Sequence, residues 1–143
     1  MPSSCWYNNV RTILTPEQWD SIKSKVSRKA YNVCQICGNV GPKHPVECHE
    51  VWEYNDKTCK QKLTNIIALC PDCHIVKHYG LAQVNNRAQK ALKHLMKVND
   101  ITKKEAEKYI ADCFMEWAER SGKEWKLDIS HLKEYIDISE IKI

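Results

Sequence analysis

Apolar positions between Trp19 and Ala30 recur every three or four residues, so Trp19, Ile22, Val26 and Ala30 fall on one helical face. Thr15-Pro16-Glu17-Gln18 supplies the start signal ahead of them. The threonine hydroxyl caps a free N–H, proline suits the first helical position, and Gln18 completes a capping box. A helix is predicted from Pro16 to about Tyr31. Gly38 to Pro45 contains two glycines and two prolines and reads as a loop. From Val46 to Tyr54 the period changes to two, predicting a strand. Val46, Cys48, Glu50 and Trp52 take one face of it, and Glu47, His49 and Val51 the other. Asn55 to Thr64 is polar and is expected to be a loop. Ile66 to Leu69 is a short apolar strand. Pro71 then opens a helix reaching about Tyr79, with Gly80 as its stop, and His74 and His78 share one face of that helix.

Beyond Gly80 the pattern becomes helical. Val84, Ala88, Ala91, Leu92 and Leu95 predict an amphipathic helix ended by Asn99-Asp100. Thr102 to Glu105 forms a second capping box, with Ile101 and Ala106 placed as a hydrophobic staple. Ala106, Tyr109, Ile110, Cys113, Phe114 and Trp117 give the next helix an apolar stripe, and Cys113 is expected to be buried on it. The two helices should form an antiparallel hairpin that ends at Ser121-Gly122. Trp125, Leu127 and Ile129 alternate like a strand, Ser130 caps a short helix through Tyr135, and Ile136 to Ile143 reads as an edge strand or a tail.

Composition narrows the class. A chain of 143 residues suits a single domain. Net charge is +4, with a pI near 8.6, which suits a phosphate-bearing partner without requiring one. No window is apolar enough to span a membrane. Eight cysteines are many for this length. The first residues lack the charged and apolar runs of a secretion signal, so metal binding in a reducing cytoplasm is expected rather than a disulfide framework.

The chemistry concentrates in two C-x-x-C pairs, Cys34 with Cys37 and Cys70 with Cys73. Each pair makes a tight knuckle presenting two thiolates, and two knuckles can close one tetrahedral zinc site. Four thiolates leave no open position, so such a zinc is structural. A redox dithiol would need a thioredoxin-like setting, and none is visible. His49 and Glu50 lie between the knuckles, Asn65 just before the second, and His74 and His78 just after it. Hydrolysis of a phosphodiester at a one-metal site needs a base for water, a cation at the phosphate and leaving oxygen, and a group that orients the base. Imidazole suits the base and the ligand roles, and an asparagine amide can hold a loop in shape. His44, His94 and His131 have no such context and read as surface residues. Lys77, Lys90, Lys93 and Lys97 are the candidate phosphate contacts, the last three on one helical face.

The stretch from residue 34 to about residue 80 resembles the HNH, or ββα-metal, endonucleases. The likeness rests on C-x-x-C, then V-E-C-H-E-V-W, then L-T-N-I-I-A-L-C-P-D-C-H-I-V-K-H. It implies a β-hairpin followed by a helix around a divalent ion (Mg2+, Mn2+, Ni2+ or Zn2+), a structural Zn2+ clasp outside it, and DNA as substrate. By the same likeness His49 is the general base, Asn65 the positioning residue and His74 a catalytic-metal ligand, with His78 one turn later on metal or phosphate. One departure matters. Cys48 stands where the family has a metal-binding residue before the base. Either His49 is the base with Cys48 or Glu50 near the metal, or the register slides so that His49 binds metal and Glu50 is the base.

The expected architecture is thus α+β over residues 1–143, with a zinc-clasped ββα core at 31–80, an N-terminal helix and a helical extension at 81–143. The expected activity is a metal-dependent DNA endonuclease, cytoplasmic and bacterial or phage-encoded, with homodimerisation left open. The competing expectation is a zinc-stabilised nucleic-acid- or protein-binding module without catalysis.

Overall fold

The computed structural model describes residues 1–141. Helices α1 (Val10–Ile13) and α2 (Pro16–Lys29) precede strands β1 (Glu47–Asn55) and β2 (Lys60–Leu69). Helices α3 (Pro71–Lys77), α4 (Tyr79–Val84), α5 (Ala88–Asn99) and α6 (Lys103–Ser121) follow, and then strand β3 (Lys126–Asp128). The fold is mixed α and β. Both predicted capping boxes form, Thr15 with Gln18 at α2 and Thr102 with Glu105 at α6. Asn9 with Thr12 adds a third at α1.

The sheet has the order β1-β2-β3. β2 is antiparallel to β1 and parallel to β3. The polar run 55–64, expected to be a loop, is instead a tight turn followed by the first half of β2. Its disguise has a physical cause. Val51 pairs with Asn65 and Trp52 with Leu63, so Thr64 is an extra residue, a β-bulge. The Thr64 hydroxyl donates to the Val51 carbonyl at 3.1 Å. The bulge keeps Leu63 and Gln61, both fully buried, in step with Trp52 and Tyr54, and it breaks the period a reader would follow.

One face of the sheet carries the main core. Val10, Leu14, Ile22 and Val26 from the N-terminal helices meet Cys48, Leu63, Ile66 and Ala68 of the hairpin, and Ile129, Leu132 and Tyr135 of the C-terminal segment. The segment after residue 81 is therefore not a purely helical extension. Its strand completes the sheet, and a 3-10 turn at Ser130–Glu134 puts Leu132 into the core. Ile136 to Ile141 makes a 3-10 turn at Ile138–Glu140 rather than an edge strand; residues 142 and 143 lie outside the described residues.

The other face of the hairpin receives α3. Here the expected single helix from Pro71 to Gly80 divides. α3 stops at Lys77, His78 adopts φ −108° and ψ 47°, and Gly80 lies inside α4. Val84 ends α4 and is 79% exposed, so it does not belong to the apolar face of α5. α5 packs Leu92 and Leu95 with Ala106 of α6, and Val76 and Tyr79 close the cluster. The stripe on α6 is buried only at its start. Ala106 is buried and Ile110 and Phe114 are half-buried toward α5 and Tyr79, whereas Tyr109 and Cys113 lie to one side of that row and are exposed, and Trp117, also exposed, donates to the Met1 carbonyl at 3.0 Å.

Candidate metal centres

The four motif cysteines converge. Cys34 and Cys37 lie on the loop after α2, and Gly38, at φ 75°, lets that loop turn back so that its N–H reaches the Cys34 carbonyl at 3.0 Å. Cys70 caps α3, its sulfur accepting from the Cys73 N–H at 3.4 Å. All four sulfurs lie within 4.8 Å of one another, and none is in a disulfide. The Cys37 and Cys70 sulfurs are 3.6 Å apart. Tetrahedral zinc with bonds near 2.3 Å separates its sulfurs by about 3.8 Å, so the set fits such an ion.

A second cluster stands beside it. His49 comes from β1, His74 from α3, and His78 from the residue that ends α3. Their ring nitrogens also lie within 4.8 Å of one another. The His74 and His78 Nε2 atoms are 3.1 Å apart. Two imidazoles on one tetrahedral ion place their nitrogens about 3.3 Å apart, so this pair has ligand spacing. The His49 ring meets them edge-on, with its centroid 5.3 Å from that of His74 and 5.0 Å from that of His78. Burial, then the two neighbouring imidazoles, then Lys77 push the His49 ring down to about 3. Lost hydration, then His74, lowers His78 to about 4. At neutral pH both rings are uncharged and present lone pairs.

Sequence reasoning overlooked Glu47. Its Oε2 lies 2.5 Å from His74 Nδ1, an arrangement that fixes the orientation of the imidazole and turns Nε2 toward His78. The signal was present, since Glu47 and His49 are two apart on one strand and so share a face.

The other expected residues divide. Asn65 lies on the His49 face of the hairpin, opposite Val51, and its side-chain oxygen accepts from the Ile66 N–H at 2.9 Å. Glu50 points to the opposite face. Its carboxylate accepts from the Val10 N–H at 3.2 Å and from Trp52 Nε1 at 3.0 Å, so it ties α1 to the hairpin. Burial raises the Glu50 carboxyl against the pull of those two bonds. Cys48 is buried in the main core, its Sγ 3.9 Å from the Lys23 carbonyl. Neither Cys48 nor Glu50 reaches the histidines.

Lys77 is exposed, and its charge acts on His49. Lys90, Lys93 and Lys97 form an exposed row on α5, with Lys90 held to Asp72 at 2.6 Å. His44 is exposed as expected. His94 and His131 are half-buried: His131 Nδ1 is 3.4 Å from Glu134, and His94 Nε2 is 3.1 Å from the Cys73 sulfur.

No protein-family model, curated protein or solved structure matches the chain significantly. Two features are common to the sequence and the fold: a four-cysteine group suited to a structural metal such as zinc, and an antiparallel hairpin followed directly by a helix. Among the described residues no helix is long and apolar enough to cross a membrane.

Proposed function

We propose that the chain is a metal-dependent endonuclease of the HNH type that hydrolyses phosphodiester bonds in DNA. The observation that carries this reading is the meeting of three imidazoles from a β-hairpin and the helix after it, with their nitrogens within 4.8 Å, beside a four-thiolate cluster. In this reading Cys34, Cys37, Cys70 and Cys73 hold a structural zinc that pins β2 to the loop after α2. His74 and His78 hold the catalytic ion, and Glu47 orients His74 through Nδ1. A divalent ion held there supplies Lewis-acid stabilisation of the phosphate and the leaving oxygen. His49, facing His74 and His78 from β1, takes the proton of the attacking water on a ring nitrogen. Asn65 shapes the strand beside it, and Lys77 meets a phosphate.

A second arrangement of the same site has one observation in its favour. The His49 nitrogen is close enough to the other two to be a third ligand. Substitution by glutamine separates the roles. His49→Gln with unchanged metal affinity and a rate lowered by roughly 10²–10⁴ marks a base. Loss of affinity and rate together marks a ligand.

The deciding experiment is cleavage of supercoiled plasmid by protein stripped of loosely held metal but still carrying its clasp zinc, after addition of Mg2+, Mn2+, Ni2+ or Zn2+, alongside His74→Ala. Cutting by wild type and not by the variant is expected. No cutting with any ion, by protein that retains its clasp metal, overturns the nuclease reading in favour of a zinc-stabilised binding module.

A further inference from the structure

We propose that His94 is an outer partner of the four-cysteine clasp: its imidazole N–H donates to the Cys73 sulfur, and through that bond the α5–α6 hairpin steadies the bound metal. The proposal rests on the four cysteines holding a metal ion.

The contact is set by packing. Leu92 and Leu95 seat α5 against the cluster that includes Val76 and Tyr79. Two residues one turn apart on α5 then meet two successive residues at the start of α3. Lys90 Nζ lies 2.6 Å from Asp72, and His94 Nε2 lies 3.1 Å from the Cys73 sulfur. His94 is half-buried, so its ring is confined.

The chemistry calls for a donor at that place. Four thiolates around a divalent cation leave a net charge of −2 in a largely buried site. Hydrogen-bond donors aimed at the sulfurs spread that charge and make each sulfur less nucleophilic and slower to exchange. Backbone groups serve part of the clasp. The Cys34 sulfur faces the N–H groups of Ile36, Cys37 and Cys70, and the Cys70 sulfur faces that of Cys73. The Cys73 sulfur instead faces a side chain from a helix that begins after the hairpin-and-helix unit has ended. A thiolate can only accept, so the tautomer with hydrogen on Nε2 is the one that fits.

The test uses the full-length chain loaded with NMR-active cadmium, together with His94→Phe, which keeps the ring and removes the donor, and His94→Gln, which keeps an N–H at a similar reach. Expected in wild type are one ion on four thiolates and scalar coupling between that ion and the His94 Nε2 proton. In the zinc form, His94→Phe should surrender its metal to a chelator about tenfold faster than wild type, with His94→Gln restored to near the wild-type rate. Should His94→Phe fail to fold, the wild-type coupling decides alone. Thiolate-bound ion with no coupling overturns the proposal, and so do equal release rates in all three folded proteins. A nitrogen ligand on cobalt at the thiolate site that disappears in His94→Phe also overturns it, because His94 would then bind the ion itself. Failure of the wild type to take up any ion on the cysteines is a different result, which removes the clasp reading and this proposal with it.

Discussion

At the scale of single residues, β1 divides its chemistry between two faces. Glu47 and His49 turn to α3, while Cys48 and Glu50 turn to the core and to α1. Adjacent residues of a pleated strand cannot serve one small site, so the hard oxygen near the histidines comes from Glu47, two positions before His49, and not from its immediate neighbours. Glu47→Gln keeps the side chain's size but removes the charge that orients His74. On the proposed reading, in which His74 and His78 hold an ion, affinity for that ion is expected to fall about 10–100-fold, with the clasp unaffected. Calorimetric titration of protein already carrying its clasp zinc checks this, and unchanged affinity would remove Glu47 from the site.

Strand pairing is where the element scale adds most. β3 has three residues, too few to hold an edge by ladder bonds alone, and it lies parallel to β2. An ion pair reinforces it, with Lys60 Nζ 2.7 Å from the largely buried Asp128 carboxylate. The Lys60 and Ser130 contacts hold that carboxyl well below the usual carboxylate range. A depressed pKa contributes stability that is complete above the ordinary value, about 4, and is lost as pH falls below it. Wild type is therefore expected to lose more stability between pH 7 and pH 3 than Asp128→Asn does. Urea midpoints of both proteins at the two pH values test this, and equal losses would refute it. The same scale explains α6. Its stripe is apolar by composition but wider than the face it covers: Ala106, Ile110 and Phe114 are packed, whereas Tyr109 and Cys113 flank that row and stay exposed.

For the whole molecule, the exposed lysines of α5 become relevant to function because α5 packs on α3, the helix that carries His74. Lys90 is already engaged by Asp72, whereas Lys93 and Lys97 are exposed further along. If this face follows a DNA backbone, each lysine that meets a phosphate contributes about 0.9 to the slope of log affinity against log salt. Lys93→Gln and Lys97→Gln should each lower the slope by that amount, and Lys90→Gln by less. Binding isotherms at several salt concentrations decide it, and an unchanged slope in the double variant would take DNA off this face.

What the chain's own letters determined was local. Capping boxes at Thr15 and Thr102, the two-residue period from Val46 to Tyr54, and the paired C-x-x-C spacing each act over a few residues, and each has its structural counterpart. The proximity of His74 and His78 was legible too, because they are four residues apart after the second knuckle, whereas His49 was expected beside them only through the HNH likeness and reaches them because β1 pairs with β2. Tertiary structure alone decided the rest. The Thr64 bulge restores a register that the bare alternation loses, and it is visible only once β1 is paired with β2. His94 meets Cys73 only because α5 packs back on α3, and Cys113 is exposed because it flanks the row of Ala106, Ile110 and Phe114 that α6 turns toward its neighbours. Propensity and motif spacing follow from neighbours along the chain, whereas bulges, outer partners of a clasp and the burial of a stripe depend on which distant surface arrives opposite, and no short window of sequence contains that surface.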